Sequence, residues 1–384
     1  MSIRDVAKGS EAFAKLYDAY CNREKALLDW KAKGGKVVGT MGADVPDEIL
    51  IAADLLPIHV YADPEKELVY TNKYLEFSFD PVARATFEKI VDGTYYDLFD
   101  HLAISHTGDC ELRIWLYLRE MRRVERQMKV PPVEFVDWLM RRRSAYQATN
   151  EVVAARFRTA VEAWIGRHIT DEEIIEAGRI CNEDRDAMRA MGELRHGETP
   201  RINGSEALVI IDSAMFMDRA EHAKLVRQVV ADAANWPVLE GPRVFVTGSN
   251  QENTDLYGLI EAAGGVVVGE DHDWGDRFYD RNMRLDIDPM KAIVDRYLLR
   301  QISSKKSSVD DRVKELDDAV AATNAQGVVF FMNIYEDSGS WDYPSQKKSL
   351  DAHGIANAYF AKQQYPVAKN EDLGDKLAEF VKGM

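Results

Sequence analysis

The sequence predicts an α/β protein of two doubly wound parallel-sheet domains joined by a helical connector, and three observations carry that expectation. Short apolar segments alternate with helical periodicities towards both ends of the chain, the pattern of strand–helix–strand units with right-handed crossovers. Between them, residues 132–194 read as long helices with no strand candidate. The chain has 384 residues and is 46% hydrophobic, enough to bury more than one core. The expected division is 1–130, an N-terminal α/β domain; 131–200, the connector; and 201–384, a C-terminal α/β domain.

Residues 1–33 read as helix, with Phe13, Leu16, Tyr17 and Tyr20 at helical spacing and Gly34-Gly35 as the stop. Lys36–Thr40 is a short apolar strand. Pro46-Asp47-Glu48 opens a helix with proline near its first turn and acids at its positive end, and Leu56–Tyr61 is the second strand. Arg84–Asp92 is a helix, His101–Ser105 a strand, and Cys110–Arg123 a helix. Thr170 with Glu173 three residues later is a capping-type helix start. The α/β alternation resumes with the strand Arg243–Ser249, the helix Leu256–Ala263 and the strand Val266–Gly269. Gly327–Met332 is a further apolar strand, and Ser345–His353 a helix ended by Gly354. Both halves are thus Rossmann- or flavodoxin-like.

Composition excludes several function classes. There are 49 Lys and Arg against 65 Asp and Glu, a formal charge of −16, which argues against sequence-independent binding to nucleic acid or an anionic membrane. No apolar run approaches the length of roughly 20 residues that spans a bilayer, and the mixed-charge N-terminus is unlike a signal peptide. A soluble, cytoplasmic protein is expected. Cys21, Cys110 and Cys181 are dispersed, which fits a reducing compartment and supplies neither a disulfide framework nor a four-thiolate site.

In open parallel sheets ligands bind beyond the carboxyl ends of the strands. The candidates there are Thr40–Asp44, Ser105–Cys110, Thr247–Asn250, Glu270–Arg277 and Asn333–Trp341. Thr247-Gly248-Ser249-Asn250 can present amides to a phosphate, or be an ordinary turn, since it matches no nucleotide fingerprint. Glu270-Asp271-His272-Asp273 has the donors for a divalent cation or proton transfer, or is a solvated loop. Ser105-His106-Thr107-Gly108-Asp109-Cys110 holds a nucleophile, a base and an acid, although triads are assembled from separate segments. Cys110 is either a packed residue or a thiol activated at a helix start, and so a weak metal-ligand candidate.

Four stretches together resemble the 2-hydroxyacyl-CoA dehydratase and ATP-dependent benzoyl-CoA reductase family, over nearly the whole chain. They are Val38-Gly39 with Val45–Ala53 and Leu56-Pro57; His168-Ile169-Thr170 with Asn182–Arg185; Arg243–Ser249 through Gly264-Gly265, Val267–Asp271, Gly275–Phe278 and Tyr297-Leu298; and Gly327–Val329 through Asp342-Tyr343-Pro344 to His353–Ile355. The resemblance implies two α/β domains with a helical connection, a heterodimer, and acyl-CoA bound between the domains. It also implies an ATP-dependent activator that feeds one electron through cysteine-held clusters to the thioester. At the three positions where the family carries ligand cysteines this chain has Asp80, Gly108 and Glu336. Oxygen donors and a glycine are a poor match for a thiolate-preferring cluster.

Three functional readings follow. The first is a subunit of an acyl-CoA-processing complex that binds no cofactor itself, beside a homologous cysteine-bearing partner holding the [4Fe–4S] cluster. The second is a redox-independent lyase or hydratase, with Asp80, His106, Asp109 and Glu336 as catalytic candidates. In either, Ser105, Thr107, Gly108, Gly248, Ser249, Asp271 and Arg277 are the substrate-binding candidates. The third is a non-catalytic structural subunit.

Overall fold

A computed structural model describes residues 3–140, 144–300 and 307–384. Among them are two four-stranded parallel sheets. The first comprises β1 (Lys36–Met41), β2 (Leu55–His59), β3 (His101–Ser105) and β4 (Val133–Val136) in the order β2-β1-β3-β4. The second comprises β5 (Arg243–Gly248), β6 (Val266–Glu270), β7 (Gly327–Asn333) and β8 (Ala356–Gln363) in the order β6-β5-β7-β8. The same winding is used twice, and every pairing is parallel. Each sheet therefore reverses direction once, between β1 and β3 and between β5 and β7, and a crevice opens at each reversal.

Several elements differ from the sequence reading. Residues 132–194 do contain a strand, β4, because its alternating Val-Glu-Phe-Val is only partly buried at the sheet edge. β8 is half-buried along its length and gave no apolar run to read. The N-terminal helix is three helices, Asp5–Lys8, Glu11–Cys21 and Lys25–Ala32, because Ser10 caps the second by accepting from the Phe13 amide at 3.2 Å. The helix expected from Ser345 begins at Ser338, with Pro344 inside it.

The element that joins the halves is the helix Asp171–His196, started by the expected capping box: Thr170 Oγ1 accepts from Glu173 N–H at 3.2 Å, and Glu173 accepts from Thr170 N–H at 2.7 Å. One stretch of this helix meets the first domain, where Arg185 pairs with Glu48 at 2.7 Å. A later stretch meets the second, where the Arg195 guanidinium donates to Glu270 Oε1 at 2.9 Å and to the Val267 carbonyl at 3.1 Å. Arg195 and Glu270 have no side-chain exposure at all. Two charges taken this far from water persist only while paired and hydrogen-bonded.

Removing one member of such a pair strands the other. Arg195→Met is expected to lower the unfolding free energy by about 3–5 kcal/mol, read as a fall in the urea midpoint. An unchanged midpoint would show that the pair does not hold the second sheet to the helix.

Candidate functional site

Both sheet reversals open on one cavity of about 190 Å³ between the domains. From the first sheet it is lined by Thr40–Ala43, His59 and Thr107, and from the second by Ser249, Asn250, Asn333 and Glu336. The first loop is tied down from β3. Ser105 Oγ accepts from Asp44 N–H at 3.1 Å, while Thr107 Oγ1 accepts from Ala43 N–H at 3.0 Å and donates to Asp44 Oδ2 at 3.2 Å. Gly42, at φ +82°, sits so close that a Cβ would stand 2.6 Å from Ser105 Oγ. The second loop is closed similarly: Ser249 N–H donates to Phe331 O at 2.8 Å, and Ser249 Oγ accepts from Asn333 N–H at 2.9 Å. Gly248 has φ +123°, and a Cβ there would meet Phe331 O at 2.2 Å, so the turn requires glycine.

Four buried arginines form much of the wall. Arg185 holds Glu48, which also accepts from Tyr297 Oη at 2.8 Å; Arg219 pairs with Asp47 at 2.6 Å; Arg300 pairs with Asp44 at 3.2 Å and Asp273 at 3.5 Å; Arg296 stands 3.1 Å from Asp280. Burial works against ionisation of Glu48, yet the Arg185 guanidinium holds it below the usual carboxylate range. Burial prevails at Asp47, whose carboxyl is pushed up despite Arg219. The Cys181 thiol also lines the cavity, and burial pushes it well up, towards the protonated form.

Asp80 and Glu336 reach this cavity from opposite domains. Asp80 caps the helix Pro81–Val91, accepting from Ala83 N–H at 2.9 Å. Burial pushes its carboxyl up to about 6, the capping bond opposes, and the carboxylates of Glu336 and Glu111 push it further. Glu336 accepts from Ser338 N–H at 3.2 Å. Gly108 is the buried, extended N-cap residue of the helix Asp109–Val124. It lies between the cavity-lining Thr107 and Cys110. Among the described residues no group of three or more His, Cys, Asp or Glu is arranged to hold a metal ion.

The other candidates lie elsewhere. His106 turns to Asp137, with Nδ1 2.8 Å from its carboxylate, and Asp109 is exposed; neither lines the cavity. Ser105 acts through the loop that it holds. Asp271 accepts from Thr247 Oγ1 at 2.9 Å, and Arg277 reaches Asp273 at 3.4 Å, both just behind the wall. Within the carboxylate-rich loop, Glu270 is taken by Arg195, and His272 is buried with Nε2 2.8 Å from Tyr257 Oη. Sequence reasoning missed His59 and the four arginines. His59 reads as strand interior, yet it is the last residue of β2, where the crevice begins.

Residues 43–381 match the family described as 2-hydroxyglutaryl-CoA dehydratase, D-component, and the chain belongs to that family. It is similar to the (R)-phenyllactyl-CoA dehydratase beta subunit of Clostridium sporogenes, 25% identical over 91% of this chain and 92% of the relative. It is also similar to the (R)-2-hydroxyglutaryl-CoA dehydratase subunit beta of Acidaminococcus fermentans, 24% identical over 86% and 87%. A benzoyl-CoA reductase subunit from Thauera aromatica is 24% identical over 86% and 85%. Among the described residues no helix is long and apolar enough to cross a membrane.

Because Asp80 binds its proton more tightly folded than unfolded, its contribution to stability is present at low pH and is lost as pH rises through about 6. Asp80→Asn keeps an N-cap acceptor and removes the charge. The variant is expected to gain about 2–3 kcal/mol relative to wild type above that pH, and little at pH 3.5, below the ordinary aspartate value. Denaturant melts at pH 3.5 and pH 8 check this; equal changes at both would contradict it.

Proposed function

We propose that this member of the 2-hydroxyglutaryl-CoA dehydratase D-component family is one subunit of a heteromeric acyl-CoA-processing complex. In this reading the chain receives the thioester in its inter-domain cavity, and a homologous cysteine-bearing subunit holds the [4Fe–4S] cluster. The observation that carries it is the meeting of both sheet reversals on one cavity whose wall presents Asp80 and Glu336. That the relatives are themselves named as subunits supports a heteromer.

The donor set argues against a cluster on this chain. Asp80 is engaged as a helix cap, Glu336 accepts from Ser338, and Gly108 has no side chain. Of the two cysteines on the wall, Cys181 is kept protonated by burial, and cluster iron takes thiolate ligands. An ATP-dependent activator, in this reading, delivers its electron to the partner. This chain contributes binding, exclusion of water and placement of polar groups around the thioester.

One observation favours the redox-independent alternative, a lyase or hydratase acting on acyl-CoA. A carboxyl that titrates at about 6, as Asp80 does, is suited to acid–base catalysis near neutral pH.

Anaerobic purification and cysteine restoration separate the readings. The wild-type chain is expected to co-purify with a cysteine-bearing homologue and, alone, to carry no iron. The triple variant Asp80→Cys, Gly108→Cys, Glu336→Cys, reconstituted with iron and sulfide, is expected to gain about four irons and visible absorbance. A wild-type chain that alone carries such a cluster would overturn the reading; a fully active, partnerless chain would favour the alternative.

A further inference from the structure

His59 ends β2 and lines the cavity. Its Nδ1 stands 3.3 Å from Thr40 Oγ1, the ring's one hydrogen-bond partner among the described residues. Trp274 meets the imidazole edge-on with centroids 5.0 Å apart. Hydroxyl and indole together fix the ring, and with Nδ1 turned to Thr40, Nε2 is the nitrogen left for a ligand. Burial pushes the imidazole down to about 4; Arg219 on one neighbouring helix and Arg23 push the same way, and Asp273 opposes them. At neutral pH the ring is therefore neutral with a nitrogen able to accept a proton, and it is a weaker base than an exposed histidine.

A second group on the same wall complements it. Arg296 is 3% exposed, and its Nε has no hydrogen-bond acceptor among the described residues. The guanidinium is otherwise held by Asp280 at 3.1 Å and by the Phe278 carbonyl at 3.1 Å, and a buried N–H left without an acceptor on such a fixed group is a place where developing negative charge is stabilised.

We propose that His59 is the acid–base residue of the cavity, exchanging the proton on the carbon next to the thioester carbonyl, with Arg296 as donor to the resulting enolate oxygen. Nε2 takes the proton, the electron pair of the broken C–H bond moves onto the carbonyl oxygen as an enolate, and Nδ1–H donates to Thr40. Reversal returns a proton from the imidazolium to carbon, and in deuterated solvent that proton is a deuteron. The step needs no oxidant or reductant. The inference rests on the reading of the cavity as an acyl-CoA site.

The test uses the full chain with butyryl-CoA in D2O, with mass spectrometry for deuterium at Cα and calorimetry for binding. Wild type is expected to bind and to exchange. His59→Ala should slow exchange by about 10²-fold or more with binding nearly unchanged, and added imidazole should restore it, faster for more basic imidazoles. His59→Asn, which retains a partner for Thr40, should stay slow. Exchange at the wild-type rate in either variant overturns the inference, as does loss without rescue by imidazole, or loss accompanied by loss of butyryl-CoA binding. A wild type that binds without exchanging overturns the inference alone. A wild type that does not bind butyryl-CoA overturns the acyl-CoA reading and this inference with it.

Discussion

The structure depends on one helix holding two buried guanidinium–carboxylate pairs. Asp171–His196 carries Arg185 into the first domain and Arg195 into the second. Ten residues along a helix rise about 15 Å, so this single element sets how far apart the two sheets' anchoring points stand. Neither pair needs to add net stability to matter. Leaving either carboxylate unpaired in the interior is costly, so the placement is one that the chain cannot relax without breaking it.

The cavity follows from that spacing. Each sheet reverses direction once, and the helix brings the two reversals to face each other, so strand-end loops from both halves line one space. Its charges are sorted by depth of commitment. The arginines are matched individually to Glu48, Asp47, Asp44 and Asp280, which fixes the wall. Asp80 has no such partner among the described residues: burial above all, with the carboxylates of Glu336 and Glu111 adding to it, raises its carboxyl to about 6. A wall fixed by ion pairs beside one carboxyl that is not so paired lets the proton on Asp80 come and go without the wall rearranging.

Much of this was legible in the sequence, and the limits have physical causes. The central strands announced themselves because both faces are covered, giving unbroken runs such as Val266-Val267-Val268 and Val328-Val329-Phe330-Phe331. β4 and β8 escaped because edge strands are covered on fewer sides and their apolar residues are interrupted. The capping box at Thr170 is a local interaction, and local interactions can be read locally. Asp80 and Glu336 could be placed by motif and both reach the cavity wall. His106 is a neighbour of Thr107 in sequence but faces Asp137, since alternate residues at a strand end point to opposite sides. Arg185, Arg219, Arg296 and Arg300 come from three helical regions whose convergence is tertiary, and no spacing rule anticipates it.

The first two N-terminal helices pack against residues from the second half of the chain. Phe13, Leu16 and Tyr20 are buried in a cluster with Ile210, Val226 and Trp236, Ser10 Oγ donates to Asp232 at 2.6 Å, and Arg4 pairs with Glu206 at 2.7 Å. On the ribosome, the apolar face of Glu11–Cys21 therefore emerges about two hundred residues ahead of the surface that covers it. At synthesis rates of about 5–20 residues per second, that face waits on the order of ten seconds or more, exposed to chaperones and to other nascent chains. The first strands can assemble in that interval, but this early-made helix docks only late, so it serves as the clasp that completes the second half.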